Sequence, residues 1–390
     1  MPKDRFFDNT EIAFSLKSNS ELNRAYLLFK MISYEPLVKV GKSLSNFAIK
    51  ANLPVDSVIR ATVFDHFCGG INEKDCLPVI DAMYEKGVSS VLDFSVEGKE
   101  DESFFDAAME KTLEIINFSE NNEAMPIAVF KPTGFGKPSL YTKKSEGKSF
   151  TADEQVQWNR VVARYDRVCK LAKEKDVELL IDAEESWMQE AVDDLVTEMM
   201  QKYNTEKAIV YNTLQMYRHD RMAFLKEQYR HAKENVYFLG YKIVRGAYME
   251  KENERALKKG YPTPICESKA ATDDNFNASA QYILDHLDII SLFAGTHNEA
   301  SSYLILDLME EKGISKSDNR VWFGQLYGMS DHISFNLANL GYNVAKYVPF
   351  GPVKDVLPYL IRRAEENTSV AGQTGRELML LTKEKARRKS

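Results

Sequence analysis

Hydrophobic positions along this chain follow two alternating periods. Short, nearly continuous apolar runs are each followed by a longer stretch in which apolar residues return every three or four positions, and the pair recurs eight times from residue 87 onward. The first pattern suits strands buried on both faces, the second helices with a single apolar stripe. The runs predict strands over 88–94, 126–131, 177–182, 208–214, 237–245, 289–294, 320–326 and 344–348. Between them the spacing predicts helices over 102–118, 151–176, 187–203, 221–234, 270–287, 299–312 and 331–340, with a last one over 358–367. Asp153 and Glu154 fall in the first turn of the 151–176 helix, where the helix dipole favours acids. Strands alternating with amphipathic helices imply a parallel sheet covered by helices, and eight units of this size match an α/β fold of the (β/α)8 TIM-barrel type. An open doubly wound sheet is the alternative, but no Gly-x-Gly-x-x-Gly follows an early strand, and Gly134-Phe-Gly136 reads as a loop turn.

Residues 1–86 lack this beat and predict an N-terminal helical arm, with amphipathic stretches at 22–32 and 75–86. Gly87 is a plausible C-cap for the second. The expected layout is therefore an arm over 1–86, a catalytic barrel over 87–370 and a C-terminal tail over 371–390.

Composition narrows the class. A formal charge of −7 and a pI near 5.6 argue against nucleic acid as the partner. Cys68, Cys76, Cys169 and Cys266 form no Cys-x-x-Cys pair. That usage fits reduced thiols in a cytoplasmic protein, with neither a disulfide framework nor a zinc site. The opening Met-Pro-Lys-Asp-Arg-Phe-Phe carries no signal-like apolar region, and no apolar run reaches the length of a membrane span.

Charged and polar residues collect at the C-terminal ends of the predicted strands, the face on which this fold carries its chemistry. Asp93 and Glu97 follow the first strand, Lys131 the second, and Asp182 the third, with Glu184 and Glu185 just beyond as expected caps of the next helix. Asn212 and Gln215 close the fourth, Lys242, Arg245 and Tyr248 the fifth, His297 and Asn298 the sixth, Gln325 the seventh and Tyr347 the eighth. One His among carboxylates that have cations for neighbours is no metal-ligand set, so no metal is expected. No Ser-His-Asp or Cys-His arrangement is visible. The cations suit a bound anion, such as a cofactor diphosphate or a substrate carboxylate.

The helix over 358–367 adds a clamp. Tyr359, Arg362, Arg363 and Glu366 share one helical face at i, i+3, i+4 and i+7. Two adjacent guanidinium forks match a carboxylate held at two edges, and the aromatic ring one turn earlier can cover a small apolar ring. Taken alone, such a face is more often a solvated surface with ordinary ion pairs.

Several blocks in order resemble one family. Leu92-Asp-Phe-Ser-Val-Glu97, Lys242-Ile-Val-Arg-Gly-Ala-Tyr248, Thr296-His-Asn298, Phe323-Gly-Gln-Leu-Tyr-Gly-Met329 and Tyr359-Leu-Ile-Arg-Arg-Ala-Glu-Glu-Asn367 are similar to the signatures of proline dehydrogenases. The likeness runs over roughly residues 60–380. It implies a distorted barrel whose last helix lies over the opening, a non-covalent FAD, L-proline as substrate and a quinone as electron acceptor. Carried over residue by residue, it implies that Arg362 and Arg363 bind the proline carboxylate. Tyr248, Leu326, Tyr347 and Tyr359 would wall the ring. Lys131 and Asp182 would form a polar pair beside substrate and flavin, and Glu97 would gate the site by pairing with Arg362. Gln215, Lys242, Arg245, Gly246, His297 and Glu366 would hold FAD. Many bacterial members read Arg-Leu-Val-Lys where this chain has Lys242-Ile-Val-Arg245, so the cation near flavin N5 is here an ammonium. The length leaves no room for the aldehyde dehydrogenase module of bifunctional members, which implies a monofunctional enzyme. Membrane contact would be peripheral, on the inner face.

Three other readings stay open. The resemblance puts Tyr347 near C4 of the ring, in the space that a 4-hydroxyl would need, which favours proline; a hydroxyproline-preferring member is the alternative within the family. A flavin-free barrel lyase with Lys131 as Schiff-base residue would use the same arginines as its clamp. A binding protein would keep the barrel without turnover.

Overall fold

The computed structural model describes residues 6–34, 36, 59–96, 100–369 and 373–389; for residues 61, 364–369 and 373 the backbone alone is described. The eight strands are β1 Val88–Phe94, β2 Ile127–Phe130, β3 Glu178–Ile181, β4 Val210–Gln215, β5 Leu239–Val244, β6 Ile290–Gly295, β7 Val321–Leu326 and β8 Val344–Phe350. They form one closed barrel in sequence order, and every registered pair is parallel. The helices are α1 Asn19–Ile32, α2 Glu73–Tyr84, α3 Glu102–Ser119, α4 Pro138–Ser145, α5 Ala152–Lys175, α6 Ser186–Tyr203 and α7 Arg221–Asn235. They continue as α8 Met249–Lys259, α9 Lys269–Asp285, α10 Glu299–Glu311, α11 Asp331–Asn339, α12 Leu357–Ser369 and α13 Gln373–Arg387. The (β/α)8 architecture expected from the hydrophobic beat is thus the one observed. Two compact units make up the chain: residues 98–324, and residues 1–97 together with 325–390.

In the 98–324 unit, strand register sorts side chains onto two faces. Leu180 pairs with Tyr211, Tyr211 with Gly240 and Gly240 with Ser291, while Thr213 pairs with Lys242 and Lys242 with Phe293. Parallel partners share a face, and alternate residues along each strand keep to it. The opposite face is covered by helices: Phe130 stacks on Phe135 at 4.2 Å and meets the edge of Tyr165, in α5, at 5.0 Å. Gly240 makes room inside for the Tyr211 ring, since a Cβ there would lie 2.5 Å from it. Helix α5 starts as expected, with Thr151 and Glu154 forming a reciprocal capping box. The charged sequence of α8 and the short α4 gave too little apolar periodicity to be predicted, and both are helical here.

In the other unit, β1 and β8 run in register, Ser89 beside Ala345 and Val91 beside Tyr347. Helix α1 opens with a capping box between Ser18 and Glu21. Leu22, Ala25 and Phe29 on one of its faces pack with Phe14, Leu380 and Leu381. Residues 373–387, expected as part of a tail, therefore form a helix docked on the arm. Arg388 donates to the carbonyls of Phe14 and Lys17, and Lys383 to that of Asp8, so the two ends of the described chain are stitched together.

Candidate active site

Within the 98–324 unit, the strand ends carry most of the expected polar groups. Lys131 immediately follows β2, and Asp182 follows β3, its amide donating to the Phe130 carbonyl at 3.0 Å. Lys242, buried on β5, is ion-paired with Asp182. Thus Asp182 and Lys242 meet directly.

Gln215, buried at the end of β4, donates through Nε2 to the Glu184 carbonyl at 2.9 Å. Its Oε1 is fully enclosed, and no donor among the described residues meets it. Gly246 follows β5 at φ +128°, and a Cβ there would lie 2.6 Å from the Tyr217 ring. Only glycine fits, because the Tyr217 ring packs directly against its Cα and the backbone takes a left-handed conformation. Tyr248 stands at the N-cap of α8, and His297 is half-buried just after β6.

Arg245 is more committed than its expected cofactor role suggests. Its Nε pairs with Asp273 at 2.6 Å, and its two terminal nitrogens donate to Thr296 Oγ1 and Ser301 Oγ, each at 2.9 Å. The guanidinium also lies over the Phe276 ring. It ties β5 to α9 and α10.

Two acids organise the neighbouring loops: Glu184, in a role other than the expected cap, and Glu252, which the sequence reading missed. Glu184 is no helix cap: its buried carboxylate accepts from the Thr133 amide at 2.9 Å and from Thr133 Oγ1 at 2.8 Å. Burial pushes its pKa up to about 7 against the opposing pull of these bonds. Glu185 occupies the N-cap position of α6 without a side-chain cap bond. That helix is capped instead by the fully buried Glu252 of α8, which accepts from the Ser186 amide at 2.6 Å and from Ser186 Oγ at 2.5 Å. No local signal marks Glu252 as a cap, because its partner lies 66 residues away.

In the unit formed by the chain's two ends, α12 carries the expected clamp. Leu357, Tyr359 and Leu360 dock it onto a cluster with Leu28, Ile32, Phe64 and Phe67. Arg363 is buried, its guanidinium 5.3 Å from the Tyr359 ring centroid. Arg362, one position earlier, is half-buried. Tyr347 is buried on β8, and its carbonyl accepts from the Tyr327 amide at 2.8 Å; Leu326 packs against the α12 cluster. Glu97 lies outside the described residues, as does the side chain of Glu366.

No described helix is long and apolar enough to cross a membrane. Comparison with known proteins agrees with the fold and names the family. The structure of proline utilization A from Bdellovibrio bacteriovorus superposes with a TM-score of 0.70 at 21% identity, over 94% of this chain and 37% of that one. Among sequences, the carbapenem antibiotics biosynthesis protein CarD of Pectobacterium carotovorum subsp. carotovorum is 36% identical over 364 residues, 93% of this chain and 94% of its own. Human mitochondrial proline dehydrogenase 1 is 41% identical over 242 residues, 61% of this chain, and the alignment spans only 40% of its length. Mitochondrial proline dehydrogenase 2 of Arabidopsis thaliana is 30% identical over 95% of this chain. The model of the proline dehydrogenase family matches residues 76–376, so the barrel, the strand-end residues and the α12 arginines all fall within it, and the chain belongs to the proline dehydrogenase family of enzymes.

Proposed function

We propose that this enzyme oxidises L-proline to Δ1-pyrroline-5-carboxylate, using a non-covalent FAD and passing the electrons to a quinone. The observation that carries this is the family match over residues 76–376, which contains every clamp and strand-end residue named above. The residues suit a flavin. Gln215 Oε1 is an enclosed acceptor fit for a ring N–H, and Lys242 brings a cation. Lys242, Gln215, Arg245, Gly246, His297 and Glu366 form the cofactor set, with Arg245 acting mainly through the loops it fastens. FAD supplies the two-electron acceptor when bound.

The remaining work falls to the chain itself. Arg362 and Arg363 hold the carboxylate, the buried guanidinium of Arg363 being pre-positioned against Tyr359. Tyr248, Leu326, Tyr347 and Tyr359 enclose the ring, and Glu97 closes over it by pairing with Arg362. Lys131 and the Lys242–Asp182 pair put positive charge beside the amine, which must be neutral to react; neighbouring cations favour that form. Proline then loses a hydride equivalent from C5 and a proton from nitrogen, which leaves the C=N bond. Contact with a membrane, where a quinone resides, is peripheral.

The visible spectrum of the purified protein tests this. Flavin absorption that bleaches on anaerobic addition of proline is the expected result. Flavin that does not bleach supports a binding protein, and no flavin supports the Schiff-base lyase built on Lys131. Arg363→Met should raise KM for proline while flavin stays bound. The wild type should prefer proline over trans-4-hydroxyproline by up to about 10²-fold, as the Tyr347 wall disfavours the hydroxyl. Equal kcat/KM for both would sink that assignment. The likeness to the Pectobacterium protein over nearly the whole of both chains favours a second setting for the same reaction, in which the product feeds a biosynthetic step. A deletion strain that still grows on proline as nitrogen source would support that setting over a degradative one.

A further inference from the structure

We infer that Glu184 is a positioning residue that sets how the enzyme grips its flavin, by holding the Gln215 amide and the loop after Lys131 at once. The inference rests on the FAD reading above. Glu184 lies two residues past Asp182, and each of its polar groups is engaged. The carboxylate holds Thr133, two residues past Lys131, through its amide at 2.9 Å and its hydroxyl at 2.8 Å. The carbonyl accepts from Gln215 Nε2 at 2.9 Å. The amide donates to Gln189 Oε1 at 3.3 Å. Gln189 in turn donates to Asp193, which also accepts from Asn212 at 2.9 Å and pairs with Arg221 at 2.6 Å. One residue therefore links the loops after β2 and β3 to the end of β4, and is itself anchored in a buried network on α6.

The direction of the Gln215 bond follows from chemistry. A carbonyl can only accept, so the Gln215 NH2 must face Glu184 and its Oε1 must face the other way. That oxygen is enclosed and meets no donor among the described residues. A buried acceptor without a donor is costly, and it matches the one ring N–H that an oxidised isoalloxazine offers between two carbonyls. Were Glu184 to shift, the amide could turn and present a donor to the flavin in place of an acceptor.

An acid–base role for Glu184 is the competing account, and substitutions separate the two. Both carboxylate oxygens already accept from Thr133, so Glu184→Gln can keep the geometry. Its Oε1 takes the Thr133 amide, and its NH2 donates to the Thr133 hydroxyl once that rotates. Burial pushes the acid's pKa up to about 7, so around that pH it carries only part of its charge and the amide replaces less than a full one. Flavin dissociation constants by fluorescence titration, the visible spectrum, the apoprotein melting temperature and the pH profile of kcat/KM should be measured for wild type, Glu184→Gln, Glu184→Ala and Thr133→Val.

Glu184→Ala should weaken flavin binding by about tenfold or more and shift the visible band, for want of at least one oriented hydrogen bond. Glu184→Gln should stay within about threefold of wild type and keep its pH profile. Thr133→Val removes one of the two bonds and should fall between them, which keeps the test alive if the alanine variant does not fold. Flavin held as tightly by Glu184→Ala as by wild type overturns the inference. So does Glu184→Gln that abolishes turnover and flattens the pH profile, or a fall in melting temperature with flavin affinity and spectrum unchanged. A wild type devoid of flavin overturns the functional reading, and this inference with it.

Discussion

Two lysine–aspartate pairs in this protein place the same residue types in different settings. Lys346 on β8 is fully buried. It meets Asp331 at 2.9 Å, the Met329 carbonyl at 2.7 Å and the Leu326 carbonyl at 3.3 Å, which matches its three donors. Asp331 is shared with Lys17 of the arm at 3.1 Å. Burial alone would raise the Asp331 pKa, but the two lysines outweigh it and hold the carboxyl well below the usual range. That cluster is saturated, and it fixes the segment from Leu326 to Asp331. Lys242 and Asp182 also pair, and on the neighbouring strand Gln215 carries an acceptor that no donor among the described residues meets. The first cluster spends its hydrogen bonds on the chain, whereas the strand-end set includes an acceptor left over.

The largest effect should come from breaking the saturated cluster. Lys346→Met leaves Asp331 facing a methyl group and the Leu326 and Met329 carbonyls without their donor, so stability should fall by about 3–5 kcal/mol. Denaturant unfolding measures it; a loss under about 1 kcal/mol would show the cluster to be no structural keystone.

Lys242→Met should do the reverse. Removing a cation from the strand-end set should cost about 10²-fold or more in turnover with proline, while the melting temperature moves far less than in Lys346→Met. Turnover within a factor of about three of wild type would place Lys242 among the structural lysines.

Stability against pH should then separate the two regions by sign. Burial pushes the His66 pKa down to about 3, with Lys17 adding to the effect. As pH falls below about 6.5 the unfolded chain takes up a proton that the folded one refuses, so stability drops on the acid side. The depressed Asp331 carboxyl adds to that loss below about pH 4. Glu178, on β3, runs the other way. Burial raises it to about 8, so between its ordinary value of 4.5 and 8 the folded state keeps a proton the unfolded state has released. Stability should fall there as pH rises. His66→Gln, whose amide can still donate to the Gly328 carbonyl, should make the acid limb shallower between about pH 4 and 6.5, and Glu178→Gln should reduce the other limb, to which Glu184 also contributes. Melting curves from pH 3 to 9 that keep both slopes in the variants would reject this assignment.

The smallest effect is expected at Lys17, which is partly exposed and leaves Lys346 in place as a second partner. Lys17→Met should cost about 1 kcal/mol. A cost equal to that of Lys346→Met would mean that the arm carries the cluster.

Most strands and barrel helices were legible because their signal is local. A strand buried on both faces must be apolar throughout, and a helix packed on one side must repeat every three or four residues, so Val88–Phe94 and Ala152–Lys175 announce themselves within their own length. Helix α8 was not legible. It buries only Glu252 and Ala256, and it is held by the bond to Ser186 and by Arg255 over the Trp187 ring. Likewise α13 reads as a basic tail until Leu380 and Leu381 find Phe14 and Phe29.

The same division holds at the candidate site. The order of residue types at the strand ends, from Lys131 through Asp182, Gln215 and Lys242 to the α12 arginines, is a property of the sequence alone. Which of those groups spend their hydrogen bonds on the chain is not. Glu184 looks like any acid before a helix until Thr133, 51 residues earlier, supplies two donors to it. Arg245 stands in the sequence as one more strand-end cation, and only the folded chain shows that Asp273, Thr296 and Ser301 engage it. Periodicity reports how each residue is buried, because burial is shared with near neighbours. The partner of a buried polar group is chosen by strands and loops that meet only when the barrel closes, so tertiary structure alone decides which of them are left with something to offer a ligand.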